Sequence, residues 1–159
     1  ANFTINQEDL GPLVEVCRML EGIPLAIRLA ASRMQTIPLS QLTTRLQDRF
    51  SLLKGGSRTG DPRHQTLRAV FDWSYSLLDE EGKRAFATCS VFRGGWTIEA
   101  AAAVMVRGLG PTEELLHDLV GKSLVEVNRD GRFSMLETTR EYAHEKLISS
   151  GEVIRIQHR

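Results

Sequence analysis

Leu20-Glu21-Gly22-Ile23-Pro24-Leu25-Ala26-Ile27 sets a glycine and a proline two residues apart, between two segments of helical apolar periodicity. Gly22 takes the left-handed conformation that ends a helix at little steric cost. Pro24 carries a φ already suited to a first helical turn and needs no amide donor there. The stretch therefore predicts a sharp corner, one helix stopping at Gly22 and the next starting at Pro24. Upstream, Leu10, Leu13, Val14, Cys17 and Leu20 recur on one face of a helix. Asp9 is its expected cap, and Pro12 is tolerated in its first turn. Downstream, only Arg28, Ser32 and Arg33 interrupt an apolar helix that ends near Met34, a pattern that calls for burial on more than one side.

The chain has 159 residues, enough for one domain or two small ones. Hydrophobic residues make up 42% and charged residues 25%, the balance of a soluble globular protein. Twenty basic residues offset twenty acidic ones, which removes the overall electrostatic argument for a nucleic-acid-binding module. No apolar run is long enough to span a membrane, and residues 1–6 do not form a signal peptide. Cys17 and Cys89 both fall on expected apolar helix faces and read as reduced core thiols of a cytoplasmic protein. The chain has no initiator methionine and is expected to be a piece of a larger protein.

Pro38 opens a third helix with Leu39, Leu42 and Leu46 on its apolar face, and Lys54-Gly55-Gly56 begins a glycine- and proline-rich break that lasts to Arg63. The expected organisation is a helical unit over residues 1–54, a linker over 55–64, a second domain over 65–150 and a tail over 151–159. In the second domain, a helix over 65–78 precedes one capped by Asp79, and Arg93-Gly94-Gly95-Trp96 reads as a turn. Thr97 caps a short alanine-rich helix, and Thr112 with Glu113 and Glu114 starts another. The period then changes. Val125 and Val127 alternate, Asp130-Gly131 supplies a turn that accepts positive φ, and Phe133 and Met135 alternate back. A final helix with Tyr142, Ala143 and Leu147 follows. The fold class is mainly α: a small helical lid bundle followed by a winged-helix domain whose one β-hairpin is the wing.

Gly22-Ile23-Pro24-Leu25-Ala26 resembles the glycine-x-proline lid motif of STAND-class NTPases, the NB-ARC signalling relatives of AAA+ ATPases. Gly94-Gly95-Trp96-Thr97-Ile98-Glu99-Ala100, the run from Leu119 to Val125 and the run from Met135 to Ala143 are similar to bacterial regulators of the SARP and large LuxR type. The resemblance extends from about Leu13 to Gly151 and implies several things. Pro24 would pack on the adenine of ADP or ATP, with Gly22 and Ile23 shaping the contact. Arg28, one turn along, or Arg33 would reach toward the phosphates, although a solvent-facing arginine is the simpler reading. The phosphates, with Mg, would be held by a P-loop domain upstream, and a TPR-like sensor region would follow the wing. The parent protein would then be an NTPase. Where relatives carry methionine-histidine-aspartate after the wing, this chain has Met135-Leu136-Glu137, so the histidine contact to the β-phosphate is absent or replaced. Glu137 keeps an acid that would hold the last helix to the lid, or would simply favour a helix N-terminus.

No P-loop lies in the chain: Gly121-Lys122-Ser123 imitates the end of one but follows an apolar helix. The histidines at 64, 117, 144 and 158 have no metal-binding spacing, and no serine sits in the setting of a nucleophile, so neither a metal site nor a catalytic residue is assigned. Three functions stay distinct: a regulatory lid and winged helix closing over a nucleotide, a DNA-binding winged helix, and a protein-interaction scaffold. The expected recognition helix, 112–122, carries Glu113, Glu114 and Asp118 against His117 and Lys122, which counts against duplex DNA as its partner.

Overall fold

The last turn of the first helix shows how the corner is made. In the computed structural model, which describes residues 6–54, 61–105 and 109–151, helix α1 runs Leu10–Met19 and α2 runs Pro24–Arg33. The Glu21 amide donates to the Arg18 carbonyl at 3.0 Å and the Gly22 amide to the Cys17 carbonyl at 3.2 Å. These are the two bonds of a Schellman turn, and they put Glu21, not Gly22, in the position after the helix cap that needs left-handed backbone. Glu21 has φ 52° and Gly22 has φ 67°. The corner and the Pro24 start stand where the sequence put them, but the residue that ends α1 is one earlier than expected. A non-glycine residue held left-handed costs on the order of 1 kcal/mol.

The chain divides into two compact units, Ala1–Ser74 and Tyr75–Arg159, the division falling within α4 (Pro62–Ser76). The linker expected over 55–64 lies mostly outside the described residues, as does all of the tail after Gly151.

In the first unit α1 packs against α3 (Leu39–Lys54). Val16 within α1 and Leu20 just after it are buried, whereas Leu10 is 52% exposed, Val14 51%, and Cys17 exposed. Of the apolar face read from the sequence, Leu20 is buried and Leu13 half-buried, while Leu10, Val14 and Cys17 are open, so Cys17 is a surface thiol. A short helix with apolar residues on two sides can bury only the side its neighbours cover. Asp9 does not cap α1 either: its carboxylate accepts from the Asn6 amide at 3.0 Å, in the 3-10 turn Gln7–Asp9 before the helix. On α2, Ala26, Leu29, Ala30 and Arg33 form one buried face. Arg33 is only 3% exposed, and its Nη2 donates to the Ser74 carbonyl at 3.4 Å, so it serves the end of α4 rather than solvent. On α3, Leu39, Leu42 and Leu46 are buried as expected.

The second unit is a winged helix. Helix α5 (Glu80–Cys89) is capped by Asp79, whose Oδ1 accepts from the Gly82 amide at 2.7 Å, and α6 (Ile98–Val104) by Thr97. Helix α7 (Thr112–Gly121) packs on α5 and α6, and α8 (Glu137–Ser149) packs on α5. Strands β1 (Glu126–Val127) and β2 (Phe133–Ser134) pair antiparallel with Val127 opposite Phe133. Their loop closes through Asn128, whose Oδ1 accepts from the amides of Asp130 and Arg132, and turns at Gly131 with φ 73°. Trp96, expected in a turn, exchanges two backbone bonds with Phe133 at 2.8 and 2.9 Å and adds a third strand position beside β2. A single paired residue has no period, so the sequence could not announce it.

Phe86, fully buried on α5, sits 6.1 Å from the Tyr75 ring and 6.3 Å from Tyr142 on α8, between ring centroids. The Lys146 ammonium lies over both tyrosines, 5.2 and 4.8 Å from their centroids. Replacing this ring removes the contacts of α5 with Tyr75 and Tyr142. Phe86→Ala is expected to lower unfolding free energy by about 3–5 kcal/mol, read from the midpoint of a urea titration at unchanged slope.

Candidate functional site

Pro24 stands at the first position of α2, where its missing amide donor costs nothing, and its ring is exposed. The Ile23 amide donates to the Leu20 carbonyl at 2.9 Å, closing the corner, and the Ile27 amide bonds back to the Ile23 carbonyl at 3.0 Å to begin the helix. Ile23 is half-buried in extended backbone, and Gly22 is exposed with open space where a Cβ would project. Arg28, one turn on, is also exposed. The four residues Gly22, Ile23, Pro24 and Arg28 therefore share the start of α2, with a proline ring presented outward on a rigid corner. Beside them is an open depression lined by Leu13, Val14, Cys17, Arg18, Glu21 and Gly22.

One more bond fixes this corner. The Thr66 hydroxyl of α4, on a residue only 6% exposed, donates to Glu21 Oε1 at 3.1 Å. Nothing in the spacing of Glu21 and Thr66, 45 positions apart, could have signalled it.

Glu137 belongs to the second unit. It opens α8, and its two carboxylate oxygens accept from Arg140 at 2.5 and 3.0 Å. Those bonds, aided by the positive charges of Arg140 and Arg93, hold the carboxyl below the usual carboxylate range. Arg140 also reaches the Ser90 carbonyl at 3.4 Å, so Glu137 orients an arginine that fastens α8 to the end of α5. The i, i+3 spacing made the pair legible, but not its second partner. Leu136 precedes α8 with its side chain 39% exposed.

Helix α7 turns an acidic row outward. Glu113, Glu114, His117 and Asp118 are exposed, and Lys122 is engaged by Asp118. The Gly121-Lys122-Ser123 run is the end of this helix: Ser123 is left-handed at φ 56°, and its amide and that of Leu124 close a second Schellman turn on Val120 and Leu119. Among the described residues no three His, Cys, Asp or Glu side chains converge as metal ligands would. Nor is any described helix long and apolar enough to cross a membrane.

No protein-family model matches the chain. It is similar to a provisionally named HTH-type transcriptional regulator of Mycobacterium tuberculosis, 42% identical over 164 residues that cover 99% of this chain and 19% of that protein. An uncharacterized protein of Mycobacterium bovis is 35% identical over 96% of this chain and 40% of its own length. The regulatory protein AfsR of Streptomyces coelicolor is 35% identical over 76% of this chain and 12% of its own length. The chain thus corresponds to a minor segment of bacterial regulators. Two of the three descriptions name regulators rather than enzymes, in accord with a chain to which no catalytic residue is assigned. The description of the Mycobacterium tuberculosis protein refers to transcription and to a helix-turn-helix.

The exposure of α1 has a direct chemical check. Burial pushes the Cys89 thiol from its ordinary 9.0 up to about 12, because the thiolate would be stranded in apolar packing. In the native protein at pH 8, one thiol, that of Cys17, is expected to react with a disulfide reagent. Cys89 is expected to react only on unfolding, as peptide mapping of the labelled protein would reveal. Since the folded pKa is the higher, Cys89 contributes stability that is complete below pH about 9 and is lost as pH rises toward 12.

Proposed function

We propose that this chain is a regulatory segment of a bacterial transcriptional regulator, and that its corner at Gly22-Ile23-Pro24 is where the signal is received. The observation that carries the first part is the 42% identity across 99% of the chain to a protein described as a transcriptional regulator. The second part is supported by the exposed Pro24 ring and by the resemblance of its surroundings to a nucleotide lid. In this reading a purine base of ADP or ATP stacks on Pro24, with Arg28 within a helical turn of the phosphates. A P-loop domain elsewhere in the regulator grips the phosphates and their Mg. The nucleotide acts by contacting two arrangements of the regulator unequally.

A second reading has its own support: the winged-helix fold together with the helix-turn-helix description of the mycobacterial relative. Here the second unit would contact duplex DNA. The outward carboxylates of Glu113, Glu114 and Asp118 would then face phosphate, which repels them, so α7 is a poor reading helix unless the wing carries the contact. Arg129 at the wing tip is exposed and is the residue such a contact would use.

Two measurements separate the readings. The 159-residue chain at micromolar concentration is expected to give no salt-sensitive shift of duplex DNA; a shift that Arg129→Ala abolishes would establish the second reading instead. In the full-length regulator, Pro24→Ser is expected to weaken binding of a fluorescent ADP analogue by about five- to tenfold, the worth of a lost apolar contact of roughly 1 kcal/mol. Unchanged affinity would remove the nucleotide from the proposal and leave the winged helix as the working part.

A further inference from the structure

We propose that Glu21 is a positioning residue that selects between two ways of ending α1, and that the Thr66 hydroxyl of α4 holds the selection. The Schellman position is occupied by Glu21 at φ 52°, although a glycine follows immediately. With Gly22, already left-handed at φ 67°, in that position instead, α1 would extend by one residue, Glu21 would return to helical backbone, and only the glycine of the two would be left-handed. The local preference of the sequence is for that second ending. The observed ending is the one in which Glu21 Oε1 receives the Thr66 hydroxyl at 3.1 Å, a tertiary bond to a buried side chain.

The two endings differ by one residue of helix, which turns the departing chain by about 100° around the α1 axis. Pro24 and the start of α2 would be presented in a different direction. A partner that grips Pro24 in one direction therefore favours or opposes the Glu21–Thr66 bond, and by linkage any displacement of α4 that breaks the bond changes the grip. The inference holds whether that partner is a nucleotide or a protein surface, because it concerns the unliganded corner.

The test uses the 159-residue chain without ligand, followed by NMR. In Thr66→Val the Glu21 Cα shift is expected to move toward helical values, and the Gly22 amide, bonded in wild type to the Cys17 carbonyl, is expected to change its exchange rate as its acceptor becomes the Met19 carbonyl. In Glu21→Gly/Thr66→Val the exchange of the Gly22 amide is expected to return to wild type, since glycine sits left-handed at position 21 with no bond to hold it. A folded Thr66→Val protein with wild-type shifts and exchange at residues 21 and 22 would overturn the proposal. If Thr66→Val alone does not fold, the double variant decides: a folded protein with the wild-type corner supports the selection, and an unfolded one or an altered corner overturns it.

Discussion

Every helix must find donors for its last carbonyls, and in this protein that requirement sets the direction of the chain at its critical turns. Helix α1 meets it through the amides of Glu21 and Gly22, α7 through those of Ser123 and Leu124. In both, a residue with a Cβ is left-handed where glycine is the usual occupant. The first turn aims α2 and presents Pro24. The second delivers the chain from α7 into the wing. Were either helix to run on by a residue, everything after it would leave in a different direction.

The winged helix depends on a small number of paired rings and backbone bonds. Trp96 stacks on Phe92 at 5.1 Å, and its backbone pairs with Phe133, so the short sheet is tied to the loop after α5. Phe86 with Tyr75 and Tyr142 holds α5 and α8 against the end of α4. Arg132 donates to the Gly95 carbonyl at 2.6 Å, which fastens the wing a second time. Such a unit is stiff where it packs, and its outward surface is left to charge. On α7 that charge is acidic, a matter of which partners can approach, not of the fold.

The two candidate surfaces differ in kind. The corner offers an apolar ring and open apolar neighbours on α1, suited to a flat or apolar partner. The winged helix offers a polar face whose one lysine in reach is already engaged by Asp118. A partner at the corner and a partner at the winged helix would therefore face separable physical demands.

Local rules were readable residue by residue. Asp79 and Thr97 cap the helices they were expected to cap, because a cap needs only a side-chain oxygen three residues from an amide. Gly131 turns the hairpin, and Pro24 begins α2, because the geometry of both is a property of the residue itself. What required tertiary structure was every choice between equals. Leu10, Val14 and Cys17 were as apolar as Val16, and the placement of α3 determined that Val16 would be buried and those three left open. Arg33 was one arginine among several until the end of α4 gave its guanidinium a carbonyl to reach. Glu21 and Gly22 could each have closed α1, and the bond from Thr66 goes to the residue that does. The amino-acid sequence alone determined where the chain bends and where helices begin, since those depend on neighbours within a few residues. Which face is inside and which carbonyl a buried arginine reaches were decided by contacts between segments 20 to 50 residues apart, whose energies of about a kcal/mol each rival the local preferences they override.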